Sequence, residues 1–390
     1  MPYVRSKRNV RRPRRRRASV RRRYTRRSTR SRTPRRGMNR QKACRCPGEL
    51  SPSAKFALAQ IDPFEPVCLG AKVPDTNTMP SIANADTDQL SLAGPSAAGN
   101  LIAICFNPSY TSATQAATDG AASVTWSTTF AARRNQSNIL TNIEAYRPVA
   151  HAVRIISPLA PTAATGFVHI GLSTESRYGS ATVPQYPKTV NEMTGLAHYK
   201  RVTLASLTQT PLTVINKWID ETAFRYDAPE SAYDFTAGGS AARVTTFNFQ
   251  QSWATIIVMV EGQATTTVSP ISFEHLLLSE MLPAKTSFLL GTSAAPNSPG
   301  TMSAVSAMQS ETDAMHTEAE QESYIQRGVD AFSRGAQTAG ADVFNNVAEP
   351  LLERFGRYAV SAGMAYALNA SRGTGGIPGV NSNPNRLALT

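Results

Sequence analysis

Between residues 101 and 282 the chain runs as short apolar or alternating blocks divided by turn residues. The blocks are 101–106 (LIAICF), 124–130 (VTWSTTF), 149–156 (VAHAVRII), 167–172 (FVHIGL), 202–207, 212–218, 244–249, 254–261 (ATIIVMVE) and 271–278. VTWSTTF and VTTFNF alternate, as half-buried strands do. IIVMV is apolar at every position, which predicts a strand buried on both faces. Two helical pieces interrupt, at 138–146 and about 189–198. Many short strands with little helix predict an all-β sandwich or barrel. The stretches SRYGSATVPQYP and DETAFRYDAPESAYDFTAGG exceed hairpin length, so surface-loop inserts are expected near 174–198 and 219–243.

The flanks read differently. Residues 46–100 are rich in Pro, Ser, Ala and Asp, and predict an extended lead-in with one or two strands. Residues 284–318 have the composition of a linker. A helical extension is expected over 319–369. Tyr324, Ile325, Val329 and Phe332 form one apolar stripe there. Phe344, Val347, Leu351, Phe355, Tyr358 and Ala362 form a second, with Pro350 set to kink it. The tail 370–390 is Gly-, Asn- and Pro-rich and is expected to be disordered. Trp126, Trp218 and Trp253 stand in the strand-rich body, which is long enough for a core. No apolar run approaches the ~20 residues of a membrane span, so no stable membrane insertion is expected. No apolar segment follows the basic N-terminus as a secretory signal would require.

Charge divides the chain sharply. Residues 1–45 hold 21 Lys or Arg and no acid; the other 345 residues hold 20 basic and 27 acidic residues, net −7. Such an arm cannot bury enough apolar surface to offset its ordering entropy, so 1–45 is expected to be disordered. Arginine dominates it, and arginine pairs bidentately with phosphate and stacks on bases. The candidate nucleic-acid contacts are Arg5, Arg8, Arg11, Arg12, Arg14, Arg15, Arg16, Arg17, Arg21, Arg22, Arg23, Arg26, Arg27, Arg30, Arg35 and Arg36. Tyr3 and Tyr24 are placed to stack on unpaired bases. Pro13 and Pro34 exclude one continuous helix. A nuclear-import signal needs only five to eight basic residues. This arm calls for a polyanion.

Catalytic patterns are missing. There is no G-x-S-x-G, Walker loop, G-x-G-x-x-G or H-E-x-x-H, and no enzyme is expected. Cys44 and Cys46 form C-x-C, which is not a zinc spacing, and the five histidines are scattered. The cysteines read as free thiols, with no metal and no cofactor. Asp86, Asp88 and Asp119 read as solvated loop acids.

An Arg-rich arm, a body of about eight short strands and an amphipathic C-terminal helix together resemble the capsid protein of a small icosahedral virus. The order PRRGMN (34–39), FALAQIDPF (56–64), GAKVPD (70–75) resembles nodavirus coats. So do EAYRPVAHAVRIIS (144–157) and SFEHLLLSEMLP (272–283). The Arg-dense N-terminus is also similar to capsids of circular single-stranded DNA viruses. The bacilladnaviruses, which infect diatoms, join both features. The resemblance implies an eight-stranded viral jelly roll as the shell domain (46–283), self-assembly from 60 or 180 copies with 180 favoured, and a packaged single-stranded genome with DNA favoured over RNA. It implies location in the virion, and in the host nucleus during assembly if the genome is DNA. The host receptor is unknown. It also raises calcium binding between interface carboxylates, and self-cleavage at Asn369-Ala370 assisted by Asp62. In nodaviruses the amphipathic helix follows the cut; here it precedes Asn369, and the favoured reading of Asn369 is a helix C-terminus.

The alternative is a cellular nucleic-acid-binding or chaperone protein with a β-domain and basic tail. Such modules carry basic residues on the folded surface, whereas this body is net −7.

Overall fold

The apolar blocks fold into two antiparallel sheets. The first holds, in spatial order, β1 (Ile82–Leu92), β10 (Ile271–Pro283), β5 (Ile143–Ile156), β8 (Leu212–Ile215) and β11 (Met315–Thr317). The second holds β4 (Thr125–Trp126), β3 (Thr114–Thr118), β2 (Ile102–Phe106), β9 (Thr255–Glu261), β6 (Phe167–Ser173) and β7 (Ala197–Thr203). The structure, a computed structural model, describes residues 50–127, 130–174, 186–228, 252–264 and 268–355.

Burial explains the unbroken apolar runs. One face of the first sheet presents Val153, Ile155, Val214, Ile271 and Phe273 to Ile104, Phe106, Ile256 and Val258 of the second. Its other face presents Val149, Ala152, Ile215 and Leu277 to a layer of helices. A sheet covered on both sides needs apolar residues at every position, and LLL in β10 meets that need. On β9, Ile257 and Met259 face away from the first sheet, into a third cluster with Trp126, Tyr186 and Met193. IIVMV is therefore buried on both faces, as its pattern indicates.

The helical layer begins with α1 (Pro52–Ile61). The Ser51 hydroxyl accepts the Ala54 N–H at 3.2 Å, and Pro52 opens the helix where its missing donor is harmless. Apart from Pro52 and Lys55 the helix is buried all round. Then come α2 (Gln136–Asn142), α3 (Val190–Met193), α4 (Pro299–Glu311), α5 (Gln321–Ala339), α6 (Ala341–Val343) and α7 (Glu349–Phe355). Two glycines set the helix spacing. A Cβ at Gly328 would lie 2.6 Å from Ile61 Cγ2 of α1, and one at Gly335 would lie 3.0 Å from the Ala304 backbone of α4.

The kink expected at Pro350 takes the form of a widened, π-helical turn over Phe344–Ala348. Proline cannot donate to the carbonyl four residues back, at Asn346. The Ser51 hydroxyl donates to that carbonyl instead, at 3.4 Å.

Several expectations are corrected. The fold is mostly β but not all-β, because α1, α4, α5 and α7 build a full layer. The lead-in contains α1, whose FALAQI carries too little polar contrast to register as amphipathic. The linker over 284–318 contains α4, whose Ser- and Ala-rich sequence suits close helix packing as well as it suits a linker. The helix expected at 138–146 ends at Asn142, where β5 begins; the one at 189–198 shrinks to Val190–Met193, and β7 starts at Ala197. The strand expected at 202–207 ends at Thr203 and passes into a 3-10 turn. Of 124–130, Thr125–Trp126 is strand, with 128 and 129 outside the described residues. Strand 244–249, the cores of both inserts, Tyr358, Ala362 and the tail also lie outside them.

Candidate functional site

The motifs that stand out in the sequence meet in one buried charge node. A register shift between Leu278 and Ser279 of β10 leaves Val149 of β5 as an extra residue. That bulge brings Arg147 directly opposite Glu280. Arg147 Nε and Nη2 donate to Glu280 Oε2 at 3.0 and 2.7 Å. Its Nη1 donates to the Phe224 carbonyl at 3.0 Å and pairs with Asp75. The guanidinium lies 4.2 Å over the Tyr226 ring. Glu280 further accepts the Val73 N–H at 3.1 Å and the Ser81 hydroxyl at 2.5 Å. Burial lowers the Arg147 pKa, but Asp75 and Glu280 outweigh it and the net shift is upward. Burial pushes the Tyr226 phenol up, and Arg147 pulls part of that back. The arrangement is a network of ion pairs and hydrogen bonds centred on the buried Arg147 and Glu280. It locks two strands to segments 70–75 and 224–227.

Beside the node, Lys72 grips the chain that follows β10. Its Nζ donates to the carbonyls of Ser81 (2.7 Å), Thr292 (3.0 Å) and Ser293 (3.0 Å), and to the Thr292 hydroxyl (2.9 Å). Ser81 and Thr292 also exchange backbone hydrogen bonds. GAKVPD thus supplies Lys72, Val73 and Asp75, EAYRPV supplies Arg147, and SEMLP supplies Glu280. IDPF joins less directly: Arg154, paired with Glu274 at 2.8 Å, lies 4.2 Å over the Phe64 ring.

Asp62 caps the end of α1. It is buried; its carboxylate accepts the Phe64 N–H at 3.0 Å and Gln321 Nε2, at the start of α5, at 2.7 Å. The Cys68 thiol donates to its carbonyl at 3.3 Å, and burial, with Asp62 second, pushes that thiol far up. Asp62 thereby ties α1 to α5. Asn369 and Ala370 lie outside the described residues, as do the sixteen arm arginines, Cys44 and Cys46.

The three acids expected in loops each have partners within the chain. Asp86 is not a solvated loop acid: it sits buried on β1, 3.5 Å from Arg133 Nη1, and accepts Asn135 Nδ2 at 2.8 Å. Asp88, also on β1, lies 4.0 Å from the same guanidinium. Asp119 does sit in a loop, where Ser96 and Asn100 bond its carboxylate and hold its pKa at about 2. No group of three or more His, Cys, Asp or Glu able to hold a metal occurs among the described residues. No helix there is long and apolar enough to cross a membrane.

Sequence reasoning missed one more buried group. His151 and His275, on neighbouring strands, place their Nε2 atoms 2.6 Å apart, and His151 Nδ1 meets Asn216 at 2.9 Å. Burial, then the charge of Arg133, holds both imidazoles well below the usual range. The signal was available: polar residues inside apolar blocks are seldom buried without a partner.

The sequence matches no protein-family model and no curated protein. Among solved structures the chain is similar to the subviral particle of infectious bursal disease virus, at TM-score 0.46 and 10% identity over 69% of this chain and 98% of that one. It is similar to Cocksfoot mottle virus at 0.34 and 12%, covering 52% and 95%. It is similar to tobacco necrosis virus at 0.31 and 18%, covering 53% and 97%. Superpositions this loose say nothing of function.

Proposed function

We propose that this chain is a coat subunit that assembles into an icosahedral shell and packages a single-stranded genome through its arginine-rich arm. The observation that carries the reading is the strand order. Eight strands fall into β1-β10-β5-β8 and β2-β9-β6-β7, the interleaved order of a double Greek-key jelly roll, an architecture used by viral capsid domains. β3, β4 and β11 extend the sheet edges. A jelly roll alone also suits lectins and cupins. The 21 cations ahead of a net −7 body favour the shell: an acidic tile and a cationic tether need not compete for the same polyanion.

On this reading residues 1–45 contact phosphate, 46–283 tile the shell, and the helices of 319–369 dock on protein. Sixty copies would carry about 1,300 arm charges and 180 copies about 3,800, which suits genomes on the order of one to several thousand nucleotides. The resemblance of the Arg-dense arm to capsids of circular single-stranded DNA viruses favours DNA over RNA, and the resemblance to nodavirus coats favours 180 copies. The protein would reside in the virion, and in the host nucleus during assembly if the genome is DNA. Electron microscopy and sedimentation of the purified full-length chain test this. Closed particles of uniform size are expected; a monomer that persists at tens of micromolar (roughly the range of weak specific contacts) overturns it.

A further inference from the structure

After β10 the chain forms a strap over 284–298 that is pinned along its length. The Ala284 N–H bonds to the Asn142 carbonyl at 2.9 Å, Lys72 and Ser81 hold Thr292, and the Ser298 N–H bonds to the Pro74 carbonyl at 3.0 Å. At Gly291 the strap runs so close to Pro80 that a Cβ would lie 2.6 Å from its backbone. Yet its tip is apolar and bare. Phe288 is 102% exposed, Leu289 47% and Leu290 89%. A Ser287-headed turn shapes this tip, with the Leu289 N–H on the Ser287 hydroxyl at 3.1 Å. Three adjacent exposed apolar side chains on a fixed base mark a contact surface.

The same chain carries a receptacle. Where the strap enters α4, a groove of about 730 Å³ is lined by the apolar Val73, Phe224, Met302 and Ala307 together with the charged Asp75, Glu221 and Arg225. That volume falls within the ~300–1,000 Å³ of pockets that bury compact ligands. The fully exposed Phe288 does not fill it, because Lys72 and Pro74 pin the strap between tip and groove. A protruding patch and a recess on one chain that do not meet within it suit a head-to-tail contact between copies, which closes into a ring where the rotation from copy to copy closes.

We infer that residues 288–290 are the inserting element of a contact between copies of this chain, seated in the groove beside α4 of the neighbouring copy. The inference rests on the shell reading and names which surfaces build it. The node then has a role beyond stability: Glu280, Ser81 and Lys72 together fix the strap's base, from which the tip projects.

The test uses the full-length chain. Phe288→Asp with Leu290→Asp should leave the circular dichroism spectrum and melting temperature unchanged, since both side chains are exposed. Particle yield should fall roughly tenfold or more, as for a central contact residue. Ala307→Trp, at an exposed position in the groove, should do the same. Phe288→p-benzoylphenylalanine, in particles assembled from mixed isotope-labelled and unlabelled chains, should cross-link to residues 73–74 or 302–307 of a different copy. Undiminished yield from the double variant overturns the inference, as does a cross-link to residues 356–390 of the same copy. Both results leave the shell reading standing so long as the unmodified chain forms particles. If the unmodified chain forms none, the shell reading fails and this inference fails with it.

Discussion

Arg147 and Glu280 face each other across β5 and β10 with Nη2 2.7 Å from Oε2, and neither side chain reaches solvent. Removing one partner strands a charge in the sheet. Arg147→Met should cost about 3–5 kcal/mol. Arg147→Met with Glu280→Leu should recover part of that, because no fully buried charge is left stranded and Asp75, one third exposed, keeps access to solvent. Urea midpoints of the wild type, the single and the double variant check this; a double variant as unstable as the single contradicts it.

Acid should weaken the body through His151 and His275. Both are held neutral in the folded chain, with pKa values well below 6.5, whereas unfolded histidines titrate near 6.5. The unfolded state therefore binds more protons. Stability is full above pH 6.5 and falls as pH drops below it, by up to about 1.4 kcal/mol per pH unit for each ring. Arg133 is the nearby cation and Asp86 the acid that pairs with it. His275→Gln should remove one share of the slope between pH 6.5 and 5. Denaturant melts at stepped pH measure it, and an unchanged slope would discount the pair.

Leu351 and Phe344 hold the last helices against α1 and α5, and both are buried. Leu351→Asp or Phe344→Asp should cost about 3–5 kcal/mol, from lost packing and a desolvated charge. Asn345→Asp, one residue away on the exposed side, should change stability by less than about 0.5 kcal/mol. Thermal melts distinguish them. Particle yield should fall for the first two only.

The arm should bind by counterion release. Deleting residues 1–45 should leave a folded body that no longer packages nucleic acid. For the intact chain on single strands, log affinity against log salt should fall by about 0.7 per phosphate neutralised. An affinity indifferent to salt, or packaging that survives the deletion, would falsify the tether.

Much of the β-structure was legible because two-sided burial writes itself as apolar runs. LIAICF, VAHAVRII and ATIIVMVE all became strands. The helical layer was only half legible. α5 shows its stripe at Tyr324, Ile325, Val329 and Phe332, since one side stays wet. α1 is buried nearly all round, and α4 packs through Ala304, Val305 and Met308 among serines; neither leaves a strong polar–apolar contrast to read. The node was legible as pieces. Arg147, Glu280 and Asp75 lie in three motifs that stood out in the sequence, but their convergence depends on the Val149 bulge, which no local pattern announces. The strap was misread as linker because most of its anchors are backbone amide and carbonyl groups, to which sequence is blind.

The position of β10 bears on how the chain is made. It is the strand that joins β1 to β5, and it pairs Ile82 with Met281, nearly two hundred residues later in the chain. Long-range pairing of this kind is slow and completes late. Until the ribosome has released Pro283, β1 has no partner and Arg147 has no carboxylate at Glu280. Through that interval the arginine-rich segment leads an open, apolar chain. A chain terminated before β10 is therefore not a smaller version of the body but an unclosed sheet with bare edges, prone to aggregate.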